Sequence, residues 1–126
     1  MQPVTSPKLA KAIGPYSHGM KANGFLYTAG QMPISAEGKI EAADIEGQTR
    51  QIFRNLRALL ESEGLSTSAV VKSTVFVQDL GEYPRLNAIY AEEFGEHKPA
   101  RTTILVAALP LGAKVEIEFV VELPRD

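Results

Sequence analysis

A chain of 126 residues is long enough for one hydrophobic core, burying about two-thirds of the surface it exposes when unfolded, and too short for two independent ones. Hydrophobic residues at 44% and charged residues at 22% exclude a disordered chain, and the net charge of -2 argues against a general electrostatic grip on nucleic acid or anionic lipid. With no cysteine, disulfides, thiolate metal sites and thiol nucleophiles are excluded.

The first nineteen residues are rich in Pro, Ser, Lys and Gly and read as extended chain. Lys21 to Gly24 reads as a turn, because Asn23-Gly24 is the strongest two-residue hairpin signal, and Phe25 to Ala29 as the strand that follows. Gly30, Pro33 and Gly38 mark a loop. From Asp44 the period changes. Ile45, Thr49, Ile52, Phe53, Leu56, Leu59 and Leu60 recur at three- and four-residue steps, which predicts an amphipathic helix with Asp44 as N-cap and Gly64 as its stop.

Val70 to Gln78 is β-branched and aromatic. Simple alternation puts Val71, Val75 and Val77 on one face and Val70 and Phe76 on the other. A second helix is expected from about Glu82 to Phe94, with Pro84 in its first turn, Leu86, Ile89, Tyr90 and Phe94 as the stripe, and Gly95 as its end. Two strands follow. Arg101 to Val106 alternates, and Val115, Ile117, Phe119 and Val121 alternate with Glu116, Glu118, Val120 and Glu122. The element order predicts an α+β domain over 1–126, a mixed sheet with both helices on one face. Because the middle strand is apolar on both faces, a second copy of the chain is expected to cover the other.

No Walker loop, Gly-x-Gly-x-x-Gly, Gly-x-Ser-x-Gly or His-Glu-x-x-His occurs. His18 and His97 have no partner at metal-ligand spacing and read as surface or capping residues, so no metal is expected. The run from Ile104 to Ala113 contains Pro110 and is far short of the roughly 20 residues of a membrane span. Met1-Gln2-Pro3-Val4 lacks a signal pattern, and a cytoplasmic location is the expectation.

Polar residues on the strands remain. Arg101, set by the preceding Pro99-Ala100, shares a face with Thr103. If the apolar side of the last strand meets the helices, Arg101, Thr103 and Glu116 all look toward the face a second copy must cover. Arginine there can hold a carboxylate through two parallel hydrogen bonds, and glutamate can position water or shuttle a proton. The alternative is a salt bridge from Arg101 to Glu116 or Glu118 at a subunit contact, which spacing alone favours. Gly14-Pro15-Tyr16 and Gly30-Gln31 are either turns or an aromatic wall and a close backbone approach to a ligand. Asn87 is equally compatible with a solvated helix face. The residues by themselves reach a small-anion site between subunits.

Ile13-Gly14-Pro15-Tyr16, Tyr27 to Pro33, Val71 to Leu80, Asn87-Ala88-Ile89-Tyr90, Pro99-Ala100-Arg101, Leu109-Pro110 and Val115-Glu116-Ile117-Glu118 stand in an order that resembles the Rid/YjgF family over Ala12 to Val121. These are the reactive intermediate deaminases, also called L-PSP endoribonucleases. The resemblance implies a chorismate-mutase-like fold, a homotrimer with clefts between subunits, and hydrolysis of 2-aminoacrylate-type enamines and 2-imino acids to 2-keto acids and ammonia without a cofactor. It implies that Arg101 holds the substrate carboxylate, that Glu116 orients water, and that Tyr16, Gly30 and Asn87 line the pocket. Ala29 and Thr103 depart from the commoner serine and cysteine, and Thr103 still offers a hydroxyl. Two other functions compete: a ribonuclease or translation inhibitor, which the slightly acidic, tryptophan-free composition argues against, and a non-catalytic regulatory trimer that binds small carboxylates in the same cleft.

Overall fold

The computed structural model describes residues 1–125. Its six-stranded sheet runs in the order β1-β2-β3-β6-β4-β5. The strands are β1 (Gln2–Val4), β2 (Gly19–Ala22), β3 (Phe25–Thr28), β4 (Val70–Val77), β5 (Ala100–Leu105) and β6 (Val115–Glu122). Helix α1 spans Ile45–Glu61 and α2 spans Tyr83–Phe94. Only β4 and β5 pair in parallel, joined through α2; every other pairing is antiparallel.

Local chemistry explains the helix ends. Asp44 Oδ1 accepts from the Gly47 N–H at 2.8 Å, satisfying one of the free donors of the first turn of α1. Pro84 stands in the first turn of α2, where a missing N–H costs nothing, and Gly95 ends the helix at φ 67°. The hairpin between β2 and β3 turns through Asn23 at φ 51° and Gly24 at φ 85°, the left-handed pair that a two-residue turn of this hand requires.

One core lies between the sheet and the two helices. Ile52, Phe53, Leu56, Leu59 and Leu60 from α1 and Leu86, Tyr90 and Phe94 from α2 meet Val75, Val77, Val115, Ile117, Phe119 and Val121 from the sheet. Phe53 is its hub, edge-on to Phe94, Tyr90 and Phe119 at centroid separations of 5.2, 5.7 and 5.9 Å. Among the described residues no helix is long and apolar enough to cross a membrane.

Three sequence expectations need correction. The first nineteen residues are not merely extended: Gln2–Val4 pairs with Gly19–Lys21, so Lys21 and Ala22 belong to a strand and the turn begins at Asn23. In β4 a bulge between Val70 and Lys72 shifts the alternation by one. Val70 therefore joins Val75 and Val77 in the core, and Val71 turns outward. The third correction concerns the polar strand residues and changes the site.

Candidate functional site

Register decides which way Arg101 points. In parallel β4 and β5, Ser73 stands opposite Arg101 and Val75 opposite Thr103. In antiparallel β4 and β6, Ser73 stands opposite Phe119, Val75 opposite Ile117, and Phe76 opposite Glu116. Residues opposite one another share a sheet face. Arg101 and Thr103 thus lie on the helix-covered face, and Glu116 lies on the open one. The expectation that all three share a face is wrong, because it required the pairing direction of β5, which its own alternation does not contain.

On the helix side, α2 presents Tyr83, Asn87 and Tyr90 at spacings of four and three, one stripe facing β5. Asn87 Oδ1 accepts from Arg101 Nη1 at 2.7 Å, and the Tyr83 hydroxyl accepts from Arg101 Nη2. The guanidinium carbon lies 4.7 Å from the Tyr90 ring centroid and 5.4 Å from that of Tyr83. The Tyr90 hydroxyl is itself tied to Ser73 Oγ at 2.6 Å. Thr103 stands two residues along the same face of β5, opposite Val75. Among the described residues Arg101 forms no ion pair, whereas Arg50, Arg57 and Arg85 all pair with carboxylates. Its charge is held by neutral acceptors and ring faces, which orient the guanidinium without cancelling it. Next to it opens a cleft of about 420 Å³ lined by Asn87, Tyr90, Phe94, His97, Pro99 and Arg101.

A second group forms on the open side. Gln31 exchanges both backbone hydrogen bonds with Ile117, at 2.7 and 3.2 Å, and this bridge lays the Gly30 backbone against the Glu116 carboxylate. A Cβ at position 30 would fall 2.1 Å from Glu116 Oε2, so no larger residue fits there while the carboxylate keeps its place. Asn55 on α1 steadies the following loop by donating to the Met32 and Ile34 carbonyls, both at 3.0 Å. Tyr16 and Gly30 line one small cavity. Burial pushes the Glu116 carboxyl above the ordinary carboxylate range, and the neighbouring Glu118 pushes it further.

The structure therefore brings Arg101, Asn87 and Thr103 together, and separately sets Gly30 against Glu116, with Tyr16 on a cavity that Gly30 also lines. It does not join the two groups within one chain. The sequence reading missed Tyr83 and assigned Tyr90 to the core alone, though Tyr83, Asn87 and Tyr90 at i, i+4 and i+7 form a visible stripe. His18 and His97 each bond a backbone carbonyl through Nε2, at Ala10 and Val70.

Comparison with known proteins gives this arrangement a context. The family described as Endoribonuclease L-PSP matches residues 6–123. A RutC family protein of Pyrococcus horikoshii is 46% identical over 111 residues, covering 87% of this chain and 88% of the relative. A 2-iminobutanoate/2-iminopropanoate deaminase of Salmonella typhimurium is 40% identical over 112 residues, 86% of this chain and 88% of the relative. The crystal structure of TdcF from E. coli with bound serine superimposes with a TM-score of 0.92 at 33% identity, covering 98% of this chain and 100% of that one.

Proposed function

The chain belongs to the Endoribonuclease L-PSP family, the Rid/YjgF group, and on that footing we propose that it is a cofactor-independent imine and enamine hydrolase. Its substrates are 2-aminoacrylate-type enamines and their 2-imino acid tautomers, and its products are 2-keto acids and ammonia. The observation that carries this reading is Arg101, a cation oriented by neutral partners and, among the described residues, left without a carboxylate of its own. Such a group is suited to the carboxylate common to every substrate of this class.

The remaining chemistry is modest. An imine carbon is electrophilic once its nitrogen is protonated, so a clamp, a placed water and a proton route suffice. Water adds to that carbon while Glu116 takes one of its protons. The proton passes to nitrogen, the C–N bond breaks as the hydroxyl yields its remaining proton to Glu116, ammonia leaves and the carbonyl forms. A carboxyl raised above the ordinary carboxylate range by burial holds a proton more readily than an exposed one, which supports a proton-handling role for Glu116. Tyr16, Gly30, Asn87 and Thr103 line the pocket.

The clamp and Glu116 lie on opposite faces of one chain, so the reading requires two copies. The Arg101 group of one protomer meets the Tyr16–Gly30–Glu116 group of its neighbour in a homotrimer. Apolar residues on the open face support this: Tyr27 is 46% and Ile104 40% exposed. The deciding experiment generates the imine with a dehydratase and follows keto acid release with and without this protein. Faster release with the protein supports the hydrolase, and an unchanged rate overturns it.

A further inference from the structure

Tyr83 stands outside every motif that carries the family resemblance, yet its hydroxyl takes one end of the Arg101 guanidinium. Asn87, one helical turn later, takes the other end. Both tips of the fork are thus held by a single rigid element, and both acceptors are neutral. Of the five guanidinium N–H groups two are engaged, which leaves three to meet an incoming acid.

We propose that Tyr83 is a positioning residue that sets the acid affinity of this site: its neutral hydroxyl holds Arg101 ready for a carboxylate, and its ionised form switches that clamp off. The inference rests on the reading of Arg101 as the carboxylate holder. Holding outweighs competition because a carboxylate brings a full opposite charge and two parallel acceptors to the fork, whereas the phenol offers one neutral oxygen. The acid is not displaced by Tyr83, and it meets an arginine whose rotamer freedom is already lost, a gain of roughly tenfold in affinity.

Ionisation reverses the effect. The groups facing the Tyr83 hydroxyl are Asn87 on its own helix and Thr103 and Arg101 from β5, with the Tyr90 ring beside them. The adjacent Glu82 is engaged by Lys114 and Arg85. Hydrogen bonds to Asn87 and Thr103, with the Arg101 charge, hold the phenol below the usual tyrosine range. Once deprotonated, the phenolate pairs with Arg101 and the local charge offered to an acid falls to zero. Affinity for acids therefore declines as pH rises through the Tyr83 titration.

The test is calorimetric titration of 2-oxobutanoate into the full chain, from about pH 7 to about pH 10, for the wild type, Tyr83→Phe and Arg101→Lys. Phenylalanine keeps the ring and its packing, and a melting curve checks the fold. The expected result is binding roughly tenfold weaker in Y83F at neutral pH, without the alkaline decline of the wild type, and a raised KM with kcat nearly unchanged. Equal or tighter binding in Y83F overturns the holding role, and weaker binding that keeps the alkaline decline overturns the switch. If R101K binds the acid as the wild type does, the reading of Arg101 itself fails; if R101K loses the acid while Y83F matches the wild type, only Tyr83 is misassigned.

Discussion

The Tyr90 hydroxyl is hydrogen-bonded to Ser73 Oγ at 2.6 Å, so the ring against which Arg101 rests is fastened to the strand next to the one carrying the arginine. Both residues are buried. Ser73→Ala leaves the phenol without that partner, and an orphaned buried hydroxyl costs about 1–3 kcal/mol. Melting should fall by roughly 5 °C or more, measured by calorimetry. Acid binding should weaken with it, because the ring is no longer pinned.

Arg101→Lys keeps a positive charge and loses the planar fork. The expected loss in affinity for 2-oxobutanoate is about ten- to a hundredfold, the range for one charge-assisted pair. Circular dichroism should be unchanged. Normal turnover would instead make Arg101 a structural residue.

Glu116→Gln separates catalysis from binding. Arg101 is untouched, so keto acid should still bind, while turnover falls by roughly a hundredfold or more. The wild type carries a matching pH signature. Burial raises the Glu116 pKa, and the proposed mechanism uses its carboxylate form, so turnover should be lost as pH falls through a value above the ordinary carboxylate range. The acid limb of kcat/KM, corrected for uncatalysed hydrolysis, should disappear in E116Q.

Gly30→Ala tests the same group from the backbone side. The new methyl would displace the Glu116 carboxylate, the movable end of a flexible side chain, so the fold should survive with a small change in melting. Turnover should fall nearly as far as in E116Q. If turnover is retained, Glu116 does not need its observed place.

Assembly has its own measurement. Sedimentation at micromolar concentration should give a particle of three times the 13.7 kDa chain mass. A stable monomer would remove the shared cleft and leave the Arg101 group as a binding site only.

Where structure depends on neighbours in sequence, the sequence was readable. The α1 stripe from Ile45 to Leu60 is buried, and Val115, Ile117, Phe119 and Val121 fill the core as their alternation predicts. Asn23-Gly24 forms the expected turn. What escaped depends on distant partners. The Gln2–Val4 strand is three residues long, and only its pairing with Gly19–Lys21 makes it a strand. The β4 bulge at Val71 has no local marker, and it reverses the phase of Val70. For the same reason Arg101 and Thr103 were recognisable as residue types while their face was not: parallel pairing with Ser73 and Val75 sets it.

The crossover from β4 through α2 to β5 has a consequence for how the molecule can change over generations. Ser73, Tyr83, Asn87, Tyr90, Arg101 and Thr103 all fall within this one continuous stretch. Gly30 and Glu116 come from distant places in the chain and meet through the Gln31–Ile117 bridge, with Tyr16 on a cavity beside Gly30. Mutation can therefore retune the arginine's surroundings by altering a single contiguous unit without disturbing the dispersed trio. The trio is brittle by contrast, since slippage at any of its sources dismantles it.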